Sequence, residues 1–233
     1  MERSTTYKLF LWFFLLSFSA GYLNGATMLL YAVPSSHFTG NLTNLILDFF
    51  YQGEFWYFFI IYLLCFFLGS VAAGIIFPVN AFYPDIRYSI ILFGTGSVFF
   101  ACSLLPIYPP ILMSLTTFSL GLQNGMTIFY KGLQVRTTHV TGNITASGYM
   151  FGRYLRYKDS SWKSGLFFFY HVASFGVGST VAAFLFFKTH WNLLLIVSLV
   201  IFAAAGLYLH IRPLLITEVR TSEHEYSWSK DQK

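Results

Sequence analysis

The chain has 233 residues, 56% of them hydrophobic and only 10% charged. A soluble domain carries roughly 25% charged residues, so this chain cannot cover its surface with charge, and lipid must be its solvent. Its net charge of +5 is therefore not read as nucleic-acid affinity, and no nucleic-acid partner is expected. Aromatic residues reach 21%, which suits contact with acyl chains.

A helix needs about 20 apolar residues to cross a bilayer. Six stretches qualify, at about 9–33, 54–78, 87–105, 110–130, 164–187 and 192–211. The first is too long for the apolar core of a cleavable signal peptide, and further spans follow it. After spans 1 and 4 come the semi-polar segments 34–53 and 131–163. Neither is long and apolar enough to cross alone, and each is expected to be a broken or re-entrant helical piece. The expected fold class is all-α: a polytopic membrane protein with six transmembrane helices. A single transmembrane domain would cover 1–211, with a polar cytoplasmic tail over 212–233. Cys65 and Cys102 fall inside apolar runs and read as small lipid- or core-facing residues.

The chain repeats itself. Gly21, Asn24, Gly25 and Thr27 recur as Gly121, Asn124, Gly125 and Thr127. His37, Thr39, Gly40, Asn41 and Thr43 recur as His139, Thr141, Gly142, Asn143 and Thr145. The offsets are 100 for Gly21 to Gly121 and 102 for His37 to His139. A third element, Gly69-Ser70 followed by Ala72-Ala73 in span 2, resembles Gly178-Ser179 followed by Ala182-Ala183 in span 5. Polar, glycine-containing phrases repeated inside apolar sequence are a footprint of transporter cores. Repeat A is expected at about 9–105 and repeat B at about 110–211.

Basic residues favour the cytoplasmic side. With both termini in the cytoplasm and six crossings, Lys188 is the one outside basic residue among 14. Three spans per half is an odd number, so the two repeats are expected to be inverted about an axis in the membrane plane. Small residues four apart let helix backbones approach closely. Spans 2 and 5 are therefore expected to make tight contacts, with spans 1 and 4 as candidate partners. The basic residues of 131–163 are expected to fix topology and to touch anionic lipid headgroups.

The duplicated phrases supply the candidate site residues. Glycine loosens a helix by roughly 1 kcal/mol relative to alanine. Gly21, Gly25, Gly121 and Gly125 thus mark places for unwinding or for ligand approach to backbone, as do Gly40 and Gly142. Asn24 and Asn124 offer donor and acceptor without charge, and inversion would let them meet across the axis. Thr39, Asn41, Thr141 and Asn143 open short helices, whose N-terminal N–H groups favour anions or polar solutes. His37 and His139 are the duplicated ionisable residues, and His171 lies deep in span 5. These three are candidates for proton transfer or gating. The sequon-like Asn41 and Asn143 are not explained by glycosylation, because the second would face the cytoplasm. No nucleotide, zinc or nucleophile motif is present, so neither a cofactor, a metal nor an enzymatic reaction is expected.

These phrases resemble the bacterial YoaK-type family of small, roughly six-span membrane proteins, over spans 1 through 6. The residues that carry the resemblance are Gly21 and Asn24, His37 with Thr39, Gly40 and Asn41, Gly121 with Asn124, and Thr141 with Gly142 and Asn143. The resemblance implies a bacterial inner-membrane protein with a suspected transport function and supplies no substrate. The family commonly has an aspartate where this chain has Asn24, which puts a proton- or cation-coupled role of that acid in doubt here. The expected function is a transporter or channel for a small polar or anionic solute, bound between the two repeats. The alternative is a non-transporting membrane protein that binds lipid or a protein partner. A homodimer is the expected assembly.

Overall fold

The computed structural model describes residues 3–51, 53, 56–77, 84–126, 128–130, 133–189 and 191–230. The chain is almost entirely helical: α1 (Arg3–Tyr31), α2 (Phe38–Phe50), α3 (Trp56–Ile76), α4 (Arg87–Leu104), α5 (Pro109–Gly125), α6 (Val140–Tyr157), α7 (Ser161–Lys188) and α8 (Leu193–Lys230). Between α5 and α6 the strands β1 (Ile128–Tyr130) and β2 (Leu133–Val135) form an antiparallel hairpin. Among the described residues, α1, α3, α4, α7 and the first part of α8 are long and apolar enough to cross a membrane. The chain is a multi-pass membrane protein.

The boundaries follow from local chemistry. After α1, Ala32 takes a left-handed conformation at φ 56°, a common helix stop, and Pro34 two residues on disfavours resumption. Pro109 and Pro110 start α5, where their missing N–H groups cost nothing. The carboxylate of Asp159 accepts the Ser161 N–H at 2.9 Å at the start of α7 and pairs with Arg153 at 3.0 Å. These bonds hold that carboxyl down at about pKa 2. Asn192 accepts from the N–H groups of Leu194 and Leu195 at 3.0 and 3.2 Å, capping α8, and donates to Ser103 O at the end of α4.

One expectation is corrected. Span 4 was expected over 110–130, but α5 ends at Gly125 after 17 residues. Ile128 and its neighbours are β-branched and aromatic, and they pair with Leu133–Val135 instead of continuing the helix. At the other end, α8 runs on through Pro213 to Lys230, so 212–230 is helical. The first residues of span 2 (54 and 55), its last (78), Thr127 and Lys131 lie outside the described residues.

Three helix couples build the bundle. α1 lies on α7, α3 on α5, and α4 on α8, with α8 also against α1. The first two couples run parallel. Tyr170 bonds Phe10 O, Ser17 meets His171, and Ser179 bonds Gly21 O. Positions therefore rise together along α1 and α7. α4 and α8 run antiparallel, with Ser89 bonded to Ala205 O and Asn192 to Ser103 O. The core is aromatic. Trp12, Tyr88 and Tyr208 are fully buried and in mutual ring contact, Trp12 and Tyr208 at 4.6 Å. α1 is the central helix, with 61% of its span buried, against 17% for α3. Both cysteines are free thiols.

Candidate functional site

The small-residue phrases are packing surfaces, and their partners are crossed. A Cβ on Gly21 would overlap the Phe175 carbonyl of α7, and a Cβ on Gly121 the Phe66 carbonyl of α3. Gly178 and Gly69 return the same contact, onto Phe18 and Phe118. The bared glycine carbonyls each accept a serine hydroxyl. Ser179 donates to Gly21 O at 2.8 Å, and Ser70 to Gly121 O at 3.1 Å. Gly25 faces Ser179, and Gly125 faces Ser70 and Ala73. Span 1 thus seats against span 5, and span 4 against span 2. At these four glycines it is a neighbouring helix that approaches the backbone.

The asparagines do different work. Asn24 Oδ1 accepts from the Ser36 N–H at 3.0 Å and the Ser36 hydroxyl at 2.8 Å. Asn24 lies seven residues before the end of α1, about 10 Å along its axis. After Tyr31 the chain therefore doubles back along α1 before α2 begins, so α2 starts level with Asn24 and not at the helix end. The second half repeats the device. Asn124 Nδ2 donates to the Thr138 hydroxyl at 2.5 Å, and Thr138 N–H donates to Asn124 Oδ1 at 3.3 Å. Asn24 and Asn124 do not bond each other across the bundle. Each is held by its own half, because the returning loop reaches it first.

Asn41 and Asn143 secure the same loops from the far side. Asn41 Nδ2 donates to Pro34 O at 2.8 Å, and Asn143 Nδ2 to Arg136 O at 3.3 Å. Both asparagines are buried. His37 and His139 precede α2 and α6 without making a side-chain cap bond. Their rings lie over Gly40 and Gly142, where a Cβ would come within 2.6 and 2.5 Å. Both histidines, with Thr39 and Thr141, are exposed on the bundle surface, apart from the buried asparagines.

The halves differ at one corner. In the second, Gln123 Nε2 donates to the Thr137 hydroxyl and to Leu16 O, both at 2.9 Å, and so ties α5 to α1. The position matching Gln123 is Leu23, which cannot donate, and the position matching Thr137 is Ser35. Ser35 is fully buried, and among the described residues its hydroxyl has no partner, nor has Oδ1 of Asn41, which is 3% exposed. Asn41 bonds the carbonyl of the residue just before Ser35. Both unpaired groups therefore belong to one corner, beside the Asn24–Ser36 bond. An unsatisfied polar group in lipid costs several kcal/mol.

His171 stands apart from this corner. Its Nδ1 is 2.9 Å from the Ser17 hydroxyl, and its Nε2, buried among the rings of Phe13, Phe167 and Tyr170, has no partner among the described residues. Ser17→Ala leaves both ring nitrogens unbonded, and the expected loss is about 1–3 kcal/mol. Thermal unfolding in detergent measures it, and an unchanged midpoint would show that Ser17 does not hold the ring. Ser17, Ser35, Ser36 and Thr138 were not singled out from the sequence, and Gln123 was read there only as part of the repeated phrase and of the family resemblance. Ser17 left no signal there. The other four were legible in principle, since they flank the duplicated phrases at matching offsets.

A protein-family model, described as "Protein of unknown function (DUF1275)", matches residues 12–207. No curated protein and no solved structure matches the chain. The matched segment runs from the aromatic core of α1 into the membrane-crossing part of α8 and takes in both copies of every repeated phrase. The chain belongs to this DUF1275 family.

Proposed function

We propose that this protein is a transporter or channel for a small polar solute, YoaK-type within its family and resident in the bacterial inner membrane. The solute site is the corner formed by Asn24, Ser35, Ser36 and Asn41. The observation that carries this reading is the pair of buried, unpartnered groups on Ser35 and Asn41, matched in the other half by a position where Gln123 fills the same role. A solute bearing N–H or O–H groups satisfies Asn41 Oδ1, an acceptor that repels anions. This favours a polar neutral solute over an anionic one. Entry of α2 beside the last third of α1, short of its end, follows the half-helix plan of several transporters.

In this proposal α5 is a sixth, short span, and the two halves are inverted repeats with both termini cytoplasmic. Two observations support the inversion. α1 ends and α5 begins at one cavity, lined by Tyr31 and Pro109. The parallel couple of α1 with α7 has its counterpart in α5 with α3. The mobile units are then these crossed couples, because each half is divided between them. Membrane lipids and a second copy of the chain are the proposed partners, and no catalytic step is involved.

The test is osmotic swelling of proteoliposomes with a panel of urea, acetamide, glycerol and similar neutral solutes. Wild-type protein is expected to admit at least one of them, and Asn41→Leu to lower that flux at least tenfold while the variant stays monodisperse. Normal flux through Asn41→Leu would make the corner architectural. Lipid or partner binding without transport would then be the better reading.

A further inference from the structure

We propose that a groove along the first turns of α7 binds one phospholipid of net negative charge, with an acyl chain in the groove and the phosphate at Lys163. The cavity there measures about 610 Å³, within the usual range of roughly 300–1,000 Å³ for small-molecule sites. Trp162, Leu166, Phe169 and Ala173 line it from α7, where they recur at helical spacing, and all four are exposed. Phe10 of α1 and Leu133 of β2 line it from their own elements. The wall between α1 and α7 is fixed by the Tyr170 hydroxyl, which donates to Phe10 O at 2.8 Å. The rings of Phe10 and Tyr170 lie 5.6 Å apart. With its hydroxyl bonded to backbone, Tyr170 adds an apolar ring to the lining.

Depth and charge together select the ligand. From Trp162 to Ala173 the helix rises about 16 Å, close to half of a hydrocarbon core of about 30 Å. The groove therefore has the depth of one leaflet, which one acyl chain fills. Trp162 and Lys163 mark its polar end, since both residue types favour the level of the headgroups. Lys163 Nζ lies 5.8 Å from the centroid of the Trp162 ring. The turn that leads into α7 is basic. Residues 150–165 hold Arg153, Arg156, Lys158 and Lys163 against one acid, Asp159. That carboxylate is paired with Arg153 at 3.0 Å and accepts the Ser161 N–H. By sequence the hairpin 128–135 adds a single charge, Lys131. Lys163 attracts the phosphate of any phospholipid. A headgroup that also carries an ammonium group meets the excess of basic residues, whereas one that ends in glycerol does not. A free phosphate would satisfy Lys163 and gain nothing from the apolar groove.

Such a site narrows the reading of membrane lipids as partners, on which it rests, to one lipid class at one place. It is separate from the Asn41 corner, because Phe10 and Asn24 are about 21 Å apart along α1. Binding here requires no transport.

The test is native mass spectrometry of the full chain, purified in a maltoside detergent and titrated with dioleoyl phosphatidylglycerol and with dioleoyl phosphatidylcholine. The glycerol lipid is expected to bind saturably and at least fivefold more tightly than the choline lipid. Lys163→Gln is expected to weaken it at least threefold. Ala173→Phe, which fills the groove from an exposed position, is expected to weaken it at least fivefold. If Ala173→Phe does not fold, Phe169→Ala takes its place with the same expectation. Lys188→Gln, at the opposite end of α7, and Asn41→Leu are expected to leave binding unchanged. Excess glycerol 3-phosphate, a headgroup without chains, is expected not to displace the lipid. Equal binding of the two lipids, or affinity unmoved by Lys163→Gln or by Ala173→Phe, would overturn the site and leave lipids in general as partners. Displacement by glycerol 3-phosphate would make this a site for a soluble phosphate and overturn it as well. If neither lipid binds saturably, the site and the reading of lipids as specific partners fall together.

Discussion

Valine at Gly21 is expected to separate α1 from α7 and to cost about 3 kcal/mol or more, the upper range for overpacking a tight core. The reason is the nature of the obstacle. The first added carbon meets the backbone carbonyl of Phe175 and not the end of a side chain that can swing away. The helices must part, and the Ser179 bond to Gly21 O at 2.8 Å goes with them. Gly121→Val is expected to do the same to α5 and α3 through Phe66 and Ser70. Gly148 and Gly152 are the controls, since nothing stands within 4 Å of a Cβ at either. Alanine there should be neutral or stabilising by about 0.5–1 kcal/mol. Thermal unfolding in one detergent compares all four variants. If Gly21→Val melts with the wild type, the backbone contact between α1 and α7 is misplaced.

The second large effect is a gain of stability joined to a loss of flux. Leu23→Gln writes into the first half the residue that the second half carries at 123. By the correspondence of 23 with 123 and 35 with 137, the new amide donates to the Ser35 hydroxyl as Gln123 donates to Thr137. Satisfying a buried group of this kind contributes about 1 kcal/mol. The same bond occupies the place proposed for the solute, so flux should fall at least tenfold. A melting point that rises while swelling rates stay at the wild-type level would separate Ser35 from the permeation path. A melting point that falls would mean that Leu23, 2% exposed, has no room for an amide.

The long apolar helices were legible in the sequence because length and composition alone specify them. α3 was expected at 54–78 and α7 at 164–187, and the structure gives Trp56–Ile76 and Ser161–Lys188. The glycine phrases were legible as places of close approach, but not the identity of what approaches. Gly21 and Gly69 have the same kind of neighbourhood, and only the assembled bundle shows that their partners lie in the opposite half. Asn24 and Asn124 were legible as a matched pair, and the expected meeting between them did not occur. The short link between α1 and α2 brings Ser36 back to Asn24, and the longer link between α5 and α6, with its hairpin, brings Thr138 back to Asn124; periodicity carries no record of either return. The short hairpin after α5 was hidden for a related reason. Ile128 to Val135 is as apolar as the helix before it, and strand and helix cannot be told apart over so short a run.

The crossed seating of α1 on α7 has a consequence for biosynthesis. About 130 residues separate the end of α1 from the start of α7, so α1 is made well before its lifelong neighbour. During that interval Ser17 and the bare carbonyl of Gly21 face lipid or a chaperone. The nascent N-terminal segment therefore depends on the insertion machinery to shelter it, and a chain truncated before Ser161 would have no stable resting place for it.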